Sequence, residues 1–496
     1  MKTKPIYLFL CVSILATGCK KYLEKEPDNR AKLTDPKKVS QLLASAYPLG
    51  SYMAFNEAMS DNAGDKGAGT IDPTNRDPYY FDNVSNSDQD SPDNYWYSCY
   101  NAIAAANEAL IACNTAANPA DYQSQKGEAL VARAYAHFML VTLYARPYNE
   151  TTSSTDPGIP YVTEPETVVI KQYERKTVSY VYEMIEKDLL EGLPLINDAA
   201  YTIPRYHFNR SAANAFAARF YLYKKDYAKA VQYASTAIPD FLSNLRPWNT
   251  KYLELGINNL PAEYQKTTEP ANLLLVTCVS LYNFNLNYAT YRYALTPAIK
   301  DQILTTSIAV TGGAWALDLG TFVGSQKNPA IPKLNYTDFA LANPSANYGL
   351  PYGTISLFTT EEVLFNKAEA NAYQGNYDAA ISDLNTYMST RILNVTPGSL
   401  PGSMQITQSK VRSHYSNSLN IQDALVRYIL ELKRAEFIHE GMRWFDILRY
   451  AIPVTHEFVG AGDVVTGSIT ISPDDKLRLL KLPDEVKLSG ITDLNR

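Results

Sequence analysis

Apolar residues recur at helical spacing along much of this chain. The first clear stripe comprises Val131, Ala134, Tyr135, Phe138 and Leu143. A second begins at Val178, with Thr177 in position to cap it, and a third begins at Asp423. Spacings of three and four residues place side chains on one face of an α-helix. The stripes therefore predict amphipathic helices whose apolar faces form a core.

A helix–turn–helix pattern occurs twice, at a constant offset of 150 residues. Residues 223–231 can be aligned with residues 373–381, and Ala218 then corresponds to Ala368. In each copy small residues precede a polar turn and an alanine-rich stretch follows it, which is typical of tetratricopeptide helix pairs. We therefore predict two such pairs, separated by a long insertion.

The N-terminus has the pattern of an export signal. Lys2 and Lys4 precede an apolar run over residues 6–16, and small residues lead into Cys19. The run is too short to span a hydrocarbon core of about 30 Å as a helix. The cysteine position resembles a bacterial lipoprotein processing site, which implies that Cys19 carries lipid, such as palmitate, at the mature N-terminus. Plain secretion is the alternative.

Residues 241–360 differ in kind from the sequence around them. They contain eight prolines and lack long helical periodicity, so we predict loops with short strands or helices. The predicted fold is mainly α: a scaffold of tetratricopeptide-like helical pairs with a large loop-rich insertion. Its divisions are a signal peptide at 1–18, a lipidated N-terminus and tether at 19–40, an N-terminal helical part at 41–240, the insertion at 241–360 as candidate ligand-binding region, and a C-terminal helical part at 361–496.

The charge and cysteine content narrow the class of protein. The net charge of −6 becomes −8 once Lys2 and Lys4 leave with the signal, and no basic cluster marks a nucleic-acid site. Cys99, Cys113 and Cys278 show no metal-binding spacing. The first two flank a predicted helix that holds them too far apart for a disulfide. Buried free thiols are expected.

Motifs for catalysis or cofactors do not emerge from the sequence. His439-Glu440 begins a zinc-protease motif, but Arg443 stands where the second histidine is required. Asp90 and its acidic neighbours lack the glycine and glutamate of a calcium loop. No nucleophile elbow, Walker loop or dinucleotide fingerprint occurs. We therefore expect no cofactor, no metal and no enzyme activity, although a glycosidase carboxylate pair has no sequence signature.

The stretch 431–449 carries the most specific motif. Glu440 and Gly441 are followed by Arg443, Asp446 and Arg449 at spacings of three residues. We predict that these charges form an ion-pair ladder and that Gly441 permits a break between two helices. The stretch closely resembles the signature of the SusD/RagB family. Further matching stretches at 127–144, 175–189 and 362–370 extend the resemblance over nearly the whole mature chain.

The resemblance implies a lipid-anchored, nutrient-binding protein of the outer membrane that faces the extracellular side. Members of this family act with a SusC-like, TonB-dependent barrel and capture oligosaccharides, or peptides in the RagB branch, without catalysis. The helical pairs are expected to face the transporter and the irregular side to contact the ligand. The expected function is therefore glycan binding and delivery. A RagB-type peptide binder is the alternative within the family, and an exported hydrolase is the alternative outside it.

Sugar binding requires flat aromatic faces for the C–H surfaces of the pyranose ring, together with planar groups that hydrogen-bond the hydroxyls. Two stretches of the sequence combine these features and correspond loosely to segments that bind starch in a relative. The first contains Asp61, Asn62, Arg76, Tyr79, Tyr80, Tyr95, Trp96 and Tyr97, and the second contains Tyr282, Tyr288, Tyr291 and Trp315. We predict that the two stretches form one aromatic arc.

Overall fold

The computed structural model describes residues 33–84, 86–168, 170–256, 258–318, 321–334, 338–341 and 349–495. The predicted signal peptide, Cys19 and most of the predicted tether lie outside the described residues. Within the described ranges, no helix is both long enough and apolar enough to cross a membrane.

The fold is mainly α, as predicted. The α-helices are α1 (Pro36–Leu43), α2 (Met53–Met59), α3 (Pro73–Tyr79), α4 (Pro92–Thr115), α5 (Gln123–Tyr144), α6 (Val178–Gly192), α7 (Arg210–Tyr223), α8 (Tyr227–Ala237), α9 (Asn259–Tyr264), α10 (Asn287–Thr290), α11 (Pro297–Ile308), α12 (Thr360–Tyr373), α13 (Tyr377–Ser389), α14 (Gln408–His414), α15 (Ile421–Glu436) and α16 (Met442–Arg449).

Short strands lie mostly within and beside the predicted insertion. They are β1 (Gly64–Asp65), β2 (Asn272–Val279), β3 (Tyr293–Ala294), β4 (Thr321–Phe322), β5 (Pro329–Ala330), β6 (Asp338–Leu341), β7 (Gly349–Thr359), β8 (Val454–Val459) and β9 (Val465–Ile471). β2, β7 and β6 form an antiparallel sheet in that order, and β1–β3, β4–β5 and β8–β9 form antiparallel pairs. Because β7 runs directly into α12, the sheet is joined to the helical scaffold.

The three apolar stripes lie in helices with buried apolar faces, as predicted. The first lies in α5, which is buried along almost its whole length and ends at Tyr144. The side chain of Thr177 accepts a hydrogen bond from the backbone N–H of Tyr180 (3.2 Å) and caps α6, as predicted. α15 begins slightly earlier than predicted, because the side chain of Asn420 accepts a hydrogen bond from the N–H of Asp423 (2.9 Å).

The sequence repeat corresponds to two helix pairs, α7–α8 and α12–α13. The turns match in detail, since Lys225 and Gly375, which are equivalent positions, both have positive φ (65° and 78°). The pairs also pack on one another: Arg219 of α7 makes two hydrogen bonds of 2.5 Å to the carboxylate of Glu362 in α12. Cys99, Cys113 and Cys278 are buried thiols that form no disulfide with one another, as expected.

The signature stretch forms the end of α15, a turn at Gly441 and α16. Gly441 has φ +71°, so the predicted break between two helices is confirmed. The predicted ladder is only partly correct. Arg449 does hydrogen-bond Asp446 (3.3 Å), but Arg443 pairs with Asp61, and Glu440 pairs with Lys333. The turn explains the difference, because it takes Glu440 off the helix that carries the three later charges.

Replacement of Gly441 by alanine tests two reasons for a glycine at this turn: its positive φ and the close approach of α2. A Cβ at Gly441 would lie 2.9 Å from the Cα of Met53, whereas a Cβ at Gly375, which also has positive φ, would meet nothing within 4 Å. Gly375→Ala should therefore lower the free energy of unfolding by about 1–2 kcal/mol through backbone strain alone. Gly441→Ala should cost about 1–3 kcal/mol more, because the surrounding structure is overpacked.

Urea unfolding of both variants measures these two costs. Equal destabilisation of Gly441→Ala and Gly375→Ala would contradict the close approach of Met53 to the turn.

Candidate functional site

A network of buried charges surrounds the signature helix α15. Arg391 bonds Glu436 (2.8 Å) and Glu361 (3.1 Å), and Arg246 also bonds Glu361 (2.7 Å). All four side chains are fully buried. Burial opposes ionisation of Glu436, but the charge of Arg391 outweighs it and holds the pKa of that carboxyl below its usual range. These ion pairs connect α15 to α12 and to the loops around it.

Two predicted ligand residues, Asp61 and Asn62, are anchors for the signature. Both guanidinium contacts of Arg443 reach the Asp61 carboxylate (2.8 and 2.9 Å), and Arg434 donates to the Asn62 side chain (2.8 Å). Burial works against the Asp61 carboxylate, but Arg443 and Arg434 lower its pKa to about 2. Both polar groups are thus bonded to arginines of the signature stretch, and their contact with a sugar stays a prediction.

The turn itself is held by Glu57 in α2. Its carboxylate accepts hydrogen bonds from the N–H of Gly441 (2.8 Å) and from the side chain of Asn62 (3.3 Å). Burial nevertheless raises the pKa of Glu57 to about 7. The helix α2, which precedes Asp61 and Asn62, is thus tied directly to the turn at Gly441.

Tyr79 and Tyr80 are neighbours with different surroundings. The ring of Tyr79 is fully buried and stacks on His456 with 4.1 Å between ring centroids, and on Tyr293 at 4.7 Å. Tyr80 is half-buried and stacks on Phe458 at 4.7 Å, and its hydroxyl lies 3.3 Å from that of Tyr293. Only Tyr80 retains access to solvent.

The predicted tyrosines of the insertion form a buried cluster. Tyr282 lies 5.7 Å from Tyr288 and 6.2 Å from Tyr291 between ring centroids. Asp90, from the acidic stretch compared with a calcium loop, positions this segment by accepting the N–H groups of Leu281 (2.7 Å) and Tyr282 (3.0 Å). Burial raises the pKa of Asp90 to about 6 despite these hydrogen bonds. Among the described residues, no cluster of three potential metal ligands occurs.

The remaining aromatics lie in two further places. Tyr95 packs edge-on against Tyr52, and Trp96 packs edge-on against Tyr144 at 4.9 Å. Trp315 donates its indole N–H to the Ser307 hydroxyl (2.8 Å). Tyr97 is the exposed member of the first stretch, and its hydroxyl donates to Glu485 (2.9 Å).

The structure therefore separates the predicted arc into distinct clusters. Seven of its rings are at most 3% exposed: Tyr79, Tyr95, Trp96, Tyr282, Tyr288, Tyr291 and Trp315. A ring must present a face to stack on a sugar, and these faces are covered by protein. In this structure they are core side chains, which corrects the expectation of one open arc.

A smaller set of partly exposed side chains comes from the end of α3, the insertion and β8, and we call it the Tyr80 patch: Tyr80, Phe458, Arg292 and Lys327. Arg292 bonds Asp65 (2.7 and 2.9 Å), and its guanidinium lies 5.3 Å from the ring centre of Tyr293, which contacts Tyr80. Lys327 pairs with Asp463 at 2.7 Å. Arg76, predicted from sequence, is partly exposed and pairs with its neighbour Asp77 at 2.5 Å.

Lys66 is almost fully buried, and its backbone donates a hydrogen bond to the carbonyl of Arg292 (3.1 Å) and accepts one from the ammonium of Lys327 (3.4 Å). Its ammonium donates to the backbone carbonyl of Ala289 (2.7 Å) and to the Asn328 side chain (2.9 Å). Burial lowers the pKa of Lys66 to about 8. Sequence reasoning missed Lys66, Phe458 and Arg292, because no local spacing distinguishes them from ordinary strand and loop residues.

Comparison with known proteins finds one matching family. Residues 21–222 match a SusD-like family described as starch-binding and associating with the outer membrane. No curated protein is similar enough to the chain to count as a match.

Similar solved structures cover almost the whole chain. A SusD-like carbohydrate-binding protein from Bacteroides vulgatus ATCC 8482 is 17% identical, with TM-score 0.62 over 92% of this chain and 96% of that one. A putative sugar-binding protein from the same organism is 18% identical, with TM-score 0.65 over 92% and 96%. A SusD superfamily protein from Bacteroides fragilis is 20% identical, with TM-score 0.61 over 93% and 99%. At these identities the likeness establishes the fold.

The buried tryptophans provide a stability test of their reassignment to the core. Trp96→Ala and Trp315→Ala should each lower the free energy of unfolding by about 3–5 kcal/mol, because each leaves a cavity in a packed region. Tyr180→Ala, on the exposed side of α6, is the control and should change it by less than about 0.5 kcal/mol. Thermal and urea unfolding measure both effects, and wild-type stability of the tryptophan variants would show that these rings are not core.

Proposed function

We propose that this chain is a SusD-like protein that binds oligosaccharides at the outer membrane and passes them, chemically unchanged, to a SusC-like TonB-dependent barrel. The observation that carries the proposal is the match of residues 21–222 to a family described as starch-binding and associating with the outer membrane. The similar structures described as carbohydrate- or sugar-binding support the same ligand class.

The Tyr80 patch is the part of the irregular side whose chemistry suits a sugar best. An aromatic ring has a negative face that attracts the C–H groups of a pyranose. Tyr80 and Phe458 supply partly accessible rings, while Arg292 and Lys327 supply N–H donors that are shared with Asp65 and Asp463. Arg76, outside the patch, is a further partly exposed donor. Each such hydrogen bond replaces one to water and gains only about 0.5–1.5 kcal/mol, so the affinity should be modest and depend on the rings.

Removal of the Tyr80 ring tests this surface. A glycan microarray identifies a ligand, and calorimetry then compares variants on it. Tyr80→Ala should weaken binding about tenfold, which corresponds to about 1.4 kcal/mol. Tyr80→Phe keeps the ring and should bind nearly as wild type, and Tyr180→Ala on α6 should not change binding.

Other outcomes of this experiment discriminate between the candidate functions. Wild-type affinity of Tyr80→Ala would place the ligand elsewhere on the irregular side. Binding from a peptide library without any glycan binding would favour the RagB-type function. Turnover of a bound ligand by the purified protein would favour an exported hydrolase and overturn the non-catalytic proposal.

The attachment to the outer membrane is proposed to be a lipid on Cys19. The export pattern before this cysteine supports it, and two or more acyl chains give a stable anchor because each buried CH₂ contributes about 0.8 kcal/mol. The anchored protein would face the extracellular side, where a ligand is captured before import.

Metabolic labelling with a palmitate analogue tests the anchor. Wild type and the control Cys113→Ala, which alters a buried free thiol, should both carry label and sediment with outer membranes. Cys19→Ala should carry none and should be released from membranes of cells that lack the barrel partner. Label retained on Cys19→Ala would contradict the assignment.

A further inference from the structure

An apolar groove runs along one side of α4 and shares no lining residue with the Tyr80 patch. Its volume is about 1020 Å³. Its walls come from α1, α4, the loop that follows Pro160 and the C-terminal segment near Leu488. Trp96, Tyr97 and Tyr100 of α4 form part of the floor. Apolar side chains supply most of the surface of the groove, although charged and amide side chains also line it.

Large apolar side chains stand open to solvent in this groove. Ile170 is 54% exposed, Leu488 65% and Tyr97 37%. A contiguous apolar surface of this kind marks a place where another segment or molecule binds, because each exposed side chain forgoes the free energy of burial.

The rim of the groove is acidic. Glu108, Glu164, Glu166 and Glu485 all line it. Glu166 and Glu485 accept hydrogen bonds from tyrosine hydroxyls at 2.6 and 2.9 Å. Over the described part of the chain, none of the four forms an ion pair with a lysine or arginine, and Lys38, the one cation in the lining, pairs with Asp35. The groove therefore suits an occupant that combines apolar side chains with positive charge.

We propose that this groove holds residues 20–32 of the same chain. Leu33, the first described residue, itself lines the groove. The segment that precedes it is therefore covalently attached at the groove. Tyr22 and Leu23 are the large apolar residues of the segment. They precede Leu33 by about ten residues, and an extended chain covers at most about 3.3–3.6 Å per residue, so they reach the far part of the groove.

The charge of the segment complements the rim. Residues 20–32 contain five basic and three acidic side chains, which gives a net positive charge opposite four carboxylates. The effective concentration of a segment tethered at Leu33 also exceeds that of any free peptide. With the proposed lipid on Cys19, on which this consequence rests, docking of the segment would hold the anchor at a fixed position on the body.

Photocrosslinking in the full mature chain tests the proposal. The chain carries Cys19→Ala to keep it free of lipid, and a photoreactive phenylalanine analogue replaces Leu23. Mass spectrometry should map the crosslinks to groove residues such as Tyr97, Tyr100 and Leu488. The double variant Ile170→Glu with Leu488→Glu should lower the crosslink yield about tenfold, as expected for a loss of about 1.4 kcal/mol. Leu190→Glu, at a similarly exposed position on α6, should leave the yield unchanged.

A second measurement does not depend on the groove variants folding. Tyr22→Ser with Leu23→Ser should raise the fluorescence of the apolar dye ANS several-fold, because the groove becomes open. Crosslinks that map elsewhere, crosslinks between two molecules, an absence of crosslinks, or unchanged dye fluorescence would each overturn the proposal.

Discussion

The structure depends on buried ion pairs that meet at the signature helix α15. Burial of a charge is costly unless a partner compensates it, so each pair holds only when both of its elements are in place. Arg391 connects Glu436 of α15 with Glu361 of α12, and Arg246 adds the first loop of the insertion. Loss of one partner from such a pair costs about 3–5 kcal/mol, which is a large part of a protein's stability.

The same signature also positions the irregular side. Lys333 of the insertion bonds Glu440, and Arg443 bonds Asp61 in the loop that leads to β1. β1 pairs with β3, and the hydroxyl of Tyr293 in β3 lies 3.3 Å from that of Tyr80. A motif that at first suggests a local ladder on one helix is therefore a set of long-range connections. Through them the helical scaffold determines where the candidate ligand surface lies.

Aromatic residues divide between two roles in this protein. Most of the tyrosines and tryptophans proposed for the ligand stabilise the core, where their area contributes most. Those near the surface fall into two sites of different chemistry. The Tyr80 patch combines rings with cations and suits a polar ligand, whereas the groove along α4 is apolar with an acidic rim and suits a segment of protein.

The sequence by itself determined the helical stripes, the cap at Thr177, the repeated helix pairs and the turn at Gly441. These features depend on spacings within a few residues, so a single chain displays them. Only the tertiary structure decided which aromatic rings are accessible. Tyr79 and Tyr80 are adjacent, yet one is buried against His456 and the other lies half-buried on Phe458. Burial depends on partners that are distant in sequence, and no local pattern specifies which partners the fold brings together.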